Sequence, residues 1–143
     1  MHILLVEDNL HDIVFVQHVL KYIQPPIQLS VVQDGQHALA FLFQQAPYTQ
    51  VMQPDIVLLD INLPGKSGFD VLAALEHDPH LRFLPVIVLT TSTRPEDINR
   101  CYELGANAYL EKPLGLDNLL ALMQSLVDFW GRCKFRMRAH THY

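Results

Sequence analysis

The sequence predicts an α/β fold, a five-stranded parallel sheet doubly wound by helices into a three-layer sandwich. Three observations predict it. Short apolar runs alternate five times with longer stretches of helical periodicity, the (βα)₅ pattern. The runs are continuous and rich in Val, Ile and Leu, as in strands covered on both faces. Polar residues gather just past the carboxyl ends of the runs, where open α/β sheets carry their sites.

The run ILLV at 3–6 is the first strand. After it Ile13, Val16, Val19, Leu20 and Ile23 recur at helical spacing, and Pro25-Pro26 closes that helix. LSVV at 29–32 is the second strand, with a turn at Asp34-Gly35 before the helix QHALAFLFQQA. The stretch 46–54 is longer than an ordinary connection and reads as an exposed loop. DIVLL at 55–59 is the third strand and GFDVLAALEHD the helix after it. PVIVL at 85–89 is the fourth, followed by PEDINRCYELG, a helix with Pro at its start and Gly at its end. NAYL at 107–110 is the fifth, and a last helix runs from about Leu116 to about Trp130. Right-handed crossovers between these strands give the doubly wound arrangement.

The 143 residues amount to one domain, with no internal repeat or linker. Half of them are hydrophobic, enough for a core, but no run reaches the ~18–20 apolar residues of a membrane span. The opening MHILLVEDN turns acidic after one short apolar run, so it does not read as a signal peptide. Cys101 and Cys133 make no disulfide framework and read as reduced thiols of a cytoplasmic protein. The net charge of −5 is uneven: residues 1–128 carry all fifteen acids against six Lys/Arg, whereas the tail carries Arg132, Lys134, Arg136 and Arg138 and no acid. An acidic body argues against direct DNA binding.

Gly65-Lys66-Ser67 matches the end of a phosphate-binding loop, but the glycine that motif needs five residues earlier is replaced by Asp60. A loop that cradles phosphate in backbone N–H groups does not tolerate a carboxylate there. The acidic EDNLHD after the first strand likewise argues against flavin or nucleotide binding. Just past the strands stand Glu7-Asp8, then Asp60, then Thr90-Thr91-Ser92, then Glu111-Lys112-Pro113. Singly, each has an ordinary structural reading: acids at a helix start, a turn residue before Pro64-Gly65, a capping hydroxyl, a loop lysine. Together, three carboxylates at one sheet edge repel one another unless a cation relieves them. An all-oxygen donor set suits Mg²⁺. A carboxylate so placed can serve as a nucleophile that takes a phosphoryl group, with Mg²⁺ and Lys112 neutralising the transferred charge and Thr90 donating to a phosphoryl oxygen. Lys66 and Ser67 are then surface residues of a turn.

The stretches ILLVEDN, PDIVLLDINLPGKSGFDVL, PVIVLTTS and GANAYLEKP, at these spacings, resemble the receiver domain of two-component response regulators over residues 2–127. The resemblance implies a flavodoxin-like fold and a signalling role rather than an enzyme. It implies Asp60 as phosphoacceptor, Glu7 and Asp8 as the acidic pair around Mg²⁺ with Asp8 favoured as direct ligand, and a metal-binding carbonyl from Asn62. Thr90 and Lys112 become the switch hydroxyl and the phosphate-binding lysine, Tyr109 the aromatic that reports activation, and Lys112-Pro113 a cis peptide. It also implies a histidine kinase as phosphodonor and a downstream protein or phosphotransfer partner. More narrowly, VEDNLHDI, the 46–54 loop and LVDFWGR resemble single-domain regulators paired with cyanobacterial phytochromes, which implies a phytochrome-type kinase. Thr91 stands where many relatives carry a smaller residue, which narrows access to the phosphoryl group. Asn62 lies near the route of an attacking water.

On this reading residues 1–130 are the receiver domain and 131–143 a basic tail with no output domain. Output then passes through protein contacts. Tyr102, Tyr109 and the surfaces of the fourth and fifth helices are the implied contact face. Most of LLALMQSLVDFW reads as core, whereas Phe129 and Trp130 are candidates for a homodimer interface. The tail reads as a frayed, solvated end, although its basic and aromatic residues also fit an acidic partner, nucleic acid or a membrane surface. Cys133, His140 and His142 are transition-metal ligand types, but their spacing matches no structural zinc site. Two other functions share parts of this pattern. A haloacid-type aspartyl-phosphate phosphatase needs an aspartate where Asn62 stands, and a phosphorylation-independent receiver-like scaffold would lack one of the acids or the lysine.

Overall fold

Strand β1 (His2–Val6) is buried along its whole length and lies inside the sheet, with β2 (Gln28–Val32) on one side and β3 (Ile56–Leu59) on the other. β4 (Val86–Thr90) and β5 (Ala108–Glu111) complete a parallel sheet in the order β2-β1-β3-β4-β5. Residues 1–135 of this computed structural model are described. Arg136, Arg138, His140 and His142 of the tail lie outside the described residues.

Alternation along β1 shows why there are three layers. Leu4 and Val6 face a core shared with α2 (Gly35–Leu42) and α3 (Gly68–His77). Ile3 and Leu5 face the opposite core, under α1 (Leu10–Leu20) and α5 (Leu116–Arg132). Successive strand side chains point to opposite faces, so a run of branched apolar residues is what a doubly covered strand requires. The chain winds from β1 to β2 on one side and returns past β1 to β3 on the other. The switch in direction falls between the carboxyl ends of β1 and β3, where the crevice of such a sheet lies.

Local chemistry sets most boundaries. Asn9 caps α1, its side chain accepting from the Asp12 N–H, and Asp34 caps α2 through the His37 N–H. Ser67 and Asp70 form a reciprocal capping box at the start of α3. This accounts for the Gly-Lys-Ser motif: Gly65 turns the chain at φ 68°, Lys66 is exposed, and Ser67 is a helix cap. Pro95 opens α4 (Pro95–Glu103) at its first residue. A single 3₁₀ turn, Leu81–Phe83, leads into β4.

Four expectations need correction. The second helix, expected to run to 46, stops at Leu42, with Phe43 as its cap. The first helix stops at Leu20, not Ile23, because the N–H groups of Lys21, Tyr22 and Ile23 all bond three residues back; Ile23 is nonetheless buried. The connection 46–54 is not simply exposed: Tyr48 and Val51 pack on the core, and Gln53 Nε2 donates to the Leu42 carbonyl at 2.6 Å. The Lys112–Pro113 peptide is trans; among the described residues the cis bonds are Gln24–Pro25 and Ala46–Pro47. The two X-Pro isomers differ by only about 1 kcal/mol, so tertiary context decides between them.

Candidate functional site

The register carries the site residues to one edge. Val6 pairs with Leu59 and Thr90 with Glu111, so Glu7, Asp60 and Lys112 are each the first residue past their strand. Backbone bonds continue there: Glu7 N–H donates to Val32 O at 3.0 Å, Asp60 N–H to Val6 O at 3.0 Å and Lys112 N–H to Thr90 O at 2.8 Å. The polar side chains therefore rise from backbone that is still sheet-bonded, which fixes their Cα positions.

Asp60 is almost fully buried, and each of its carboxylate oxygens has its own partners. Oδ1 accepts from Thr90 Oγ1 at 2.9 Å and from the Asn62 N–H at 3.0 Å. Oδ2 accepts from Lys112 Nζ at 2.7 Å. Thr90 is wholly buried, so its hydroxyl has a fixed direction. Lys112 also meets Glu7 Oε2 at 2.7 Å and Asp12 Oδ2 at 2.8 Å. One ammonium with three donors is thus shared among three carboxylates.

Burial raises the Glu7 carboxyl to about 7, against the opposite pull of Lys112 and the Asn9 N–H. Burial on its own would lower the Lys112 ammonium. Its hydrogen bonds to Asp12, Asp60 and Glu7 outweigh that and hold it above the usual lysine range. Lys112 is thereby favoured as a cation among Glu7, Asp12 and Asp60.

Glu7, Asp8 and Asp60 bring one carboxylate oxygen each to within 4.8 Å of one another. Asp8 is exposed, so the group opens to solvent on one side. Three convergent oxygens without nitrogen or sulfur fit a hard divalent cation. Asn62 lies beside them, its side chain exposed and its N–H already given to Asp60. Thr91 is exposed next to buried Thr90.

Tyr109 is half-buried on β5, and its hydroxyl donates to the Ser92 carbonyl at 2.8 Å. Burial pushes the phenol pKa up. Its N–H donates to the Tyr102 hydroxyl at 3.0 Å, while Ser92 Oγ donates to Asp97 Oδ2 at 2.6 Å. The loop after Thr90 is thereby tied to both α4 and β5.

The structure brings Glu7, Asp8, Asp60, Thr90 and Lys112 together, with Asn62 beside them and Tyr109 at one remove through the Ser92 loop. Two participants escaped the sequence reading. Ser92 was noted only as part of a polar cluster, without its tie to Tyr109. Asp12 counts in the sequence only toward the acidity of EDNLHD; its signal as a partner of Lys112 is a position one turn beyond Asp8-Asn9, which turns it back toward the strand ends.

The response regulator receiver domain model matches residues 3–124. Response regulator Rcp1 of Synechocystis sp. is 44% identical over 128 residues, covering 90% of this chain and 87% of that protein. The phosphorylated cyanobacterial phytochrome response regulator RcpA superposes with a TM-score of 0.89 at 38% identity, over 95% of this chain and 98% of that one. The Mn²⁺-bound form of Rcp1 superposes with a TM-score of 0.87 at 41% identity, over 95% and 99% of the two chains. With the acids, threonine and lysine converging at the switch point of the same sheet, this chain belongs to the two-component response regulators, as a receiver domain.

Proposed function

We propose that the protein takes a phosphoryl group from a histidine kinase onto Asp60, assisted by Mg²⁺, and so switches a protein-binding surface. The observation that carries this is the division of labour at one carboxylate: Thr90 and Asn62 donate to Oδ1, and Lys112 to Oδ2. Donors already aimed at both oxygens suit a group that gains charged oxygens there. Glu7, Asp8 and Asp60 would hold Mg²⁺ with the Asn62 carbonyl. When bound, the ion supplies charge neutralisation to the transferring phosphoryl group. Lys112 provides the second positive charge, and Thr90 moves its hydroxyl from Asp60 to a phosphoryl oxygen.

That shift of Thr90 would pull the 91–94 loop, whose Ser92 carbonyl is held by Tyr109. The changed surface is then α4, β5 and α5, including exposed Tyr102. A downstream partner, or a second copy of the chain, would read it. Phe129 is 64% exposed near the end of α5 and is the natural anchor of a homodimer; Trp130 is half-buried against the α1–α5 core. Residues 1–130 act as the receiver unit on this reading. The likeness to RcpA supports a phytochrome-type kinase as the phosphodonor; a cytoplasmic location is part of this reading. No helix among the described residues is long and apolar enough to cross a membrane.

Incubation with acetyl phosphate and Mg²⁺, followed by intact-mass measurement, tests the core of this reading. Wild type should gain one phosphoryl group and Asp60→Asn none. Equal labelling of the two removes Asp60 as acceptor.

A further inference from the structure

The three carboxylates around Lys112 are not equivalent. Glu7 and Asp60 belong to the group whose oxygens converge within 4.8 Å; Asp12 does not. Asp12 projects from the first turn of α1, a third exposed, and meets the ammonium at 2.8 Å. A divalent cation that takes lone pairs from Glu7 and Asp60 competes for two of the three partners of Lys112. The lysine side chain is only 14% exposed, so bulk water cannot readily replace them. Asp12 is the carboxylate contact such a cation leaves untouched.

We propose that Asp12 is a positioning residue for Lys112, retaining the ammonium at the rim of the site while a divalent cation occupies Glu7 and Asp60. The inference rests on the reading of Asp60 as acceptor and of the Glu7 group as metal site. It explains how an ion and an ammonium drawn to the same two carboxylates can be present together. With Asp12 in place, the ammonium slides toward α1 and remains within reach of Asp60. Without it, every carboxylate open to Lys112 is one the metal also needs, and the two cations compete.

A purely structural role makes a different prediction. An acid in the first turn of a helix is favourable whatever lies opposite it. Its loss would then be indifferent to Lys112.

A four-way cycle separates the two. Mn²⁺ is titrated into wild type, Asp12→Asn, Lys112→Ala and the double variant, with free ion read from its paramagnetic resonance signal. The expected result is a loss of Mn²⁺ affinity of about three- to tenfold for Asp12→Asn when Lys112 is present, and of no more than about twofold when it is absent. Asp12→Glu, which keeps a carboxylate opposite Lys112, should stay within about twofold of wild type; the two Lys112 backgrounds are what separate the readings. Equal loss in both backgrounds, or no loss in either, overturns the proposal. If Lys112→Ala does not fold, Lys112→Gln, which keeps a neutral donor, takes its place in the cycle. Acetyl phosphate labelling of wild type is measured on the same preparations. Absence of labelling there removes the acceptor reading, while the four titrations still decide whether Asp12 acts through Lys112.

Discussion

Lys112 Nζ lies 2.7 Å from Asp60 Oδ2, although β5 and β3 are separated by β4. The lysine stem spans a whole strand to reach that oxygen, passing the end of β4 where buried Thr90 holds the other oxygen. The contact holds the acidic pocket together when no other cation is present. Removing one partner of a buried ion pair leaves uncompensated charge, at a cost of about 3 kcal/mol or more. Lys112→Ala should therefore lose about that much stability in chelator, and recover part of it in Mg²⁺. Urea unfolding under both conditions checks this; a variant equally stable with and without the ion contradicts it.

Glu7 gives the site a pH dependence. Its carboxyl is raised to about 7 by burial, from an ordinary 4.5. The folded metal-free protein thus binds a proton that the unfolded chain has already released. Its contribution to stability is fully present below about 4.5 and is lost as pH rises through about 7. Metal binding runs the other way, since a ligand must shed its proton first. Divalent affinity should rise between pH 6 and 8 by up to about tenfold per unit below the Glu7 pKa, and Glu7→Gln should flatten the profile as well as weaken binding. Calorimetry in two buffers of different ionisation enthalpy measures the released proton directly.

Two glycines in helices should respond to alanine with opposite signs. A Cβ on Gly68 would stand 2.6 Å from Asp60 O and from Ile61 Cα, backbone that cannot move without shifting Asp60. Gly68→Ala should cost about 1–3 kcal/mol and slow labelling by acetyl phosphate. Gly131, near the end of α5, has only the Met1 Cε near it, at 4.0 Å. Gly131→Ala should be neutral or add about 0.5–1 kcal/mol from helix propensity. Thermal unfolding of the pair reads both signs at once.

The thiols should differ in reactivity. Cys101 is fully buried on α4, and burial pushes its pKa up to about 11. Cys133 is half-buried just past α5. A thiol reagent at pH 8 should modify one cysteine per native chain and two in denaturant. Modification of Cys101 at the rate of Cys133 would mean that α4 opens readily.

If Phe129 anchors a self-contact, Phe129→Ala should lower the sedimentation coefficient of the phosphorylated protein at tens of micromolar, while leaving the fold intact. Trp130 is a poorer probe, because it packs against the core and stacks on Phe135 at 6.3 Å. Monomeric wild type with and without phosphorylation would leave a different protein as the user of that surface.

The order of strands and helices, their core faces and the residues beyond each strand were all legible along the chain. These are local properties: a run of Val, Ile and Leu is apolar wherever it sits, and Glu7, Asp60, Thr90 and Lys112 follow such runs directly. Ser67 was visible too, but only the capping box with Asp70 shows that the Gly-Lys-Ser motif is a helix start. The tertiary structure decided what depends on distance across the sheet. It placed β1 beside β3, which turns separate acids into one pocket, and it gave Lys112 a third partner in Asp12, a hundred residues away. It also ended α1 at Leu20, drew Tyr48, Val51 and Trp130 onto the core, and left Lys112–Pro113 trans. Strand adjacency and side-chain reach are set by packing between residues far apart in the chain, and no local pattern of side chains encodes them.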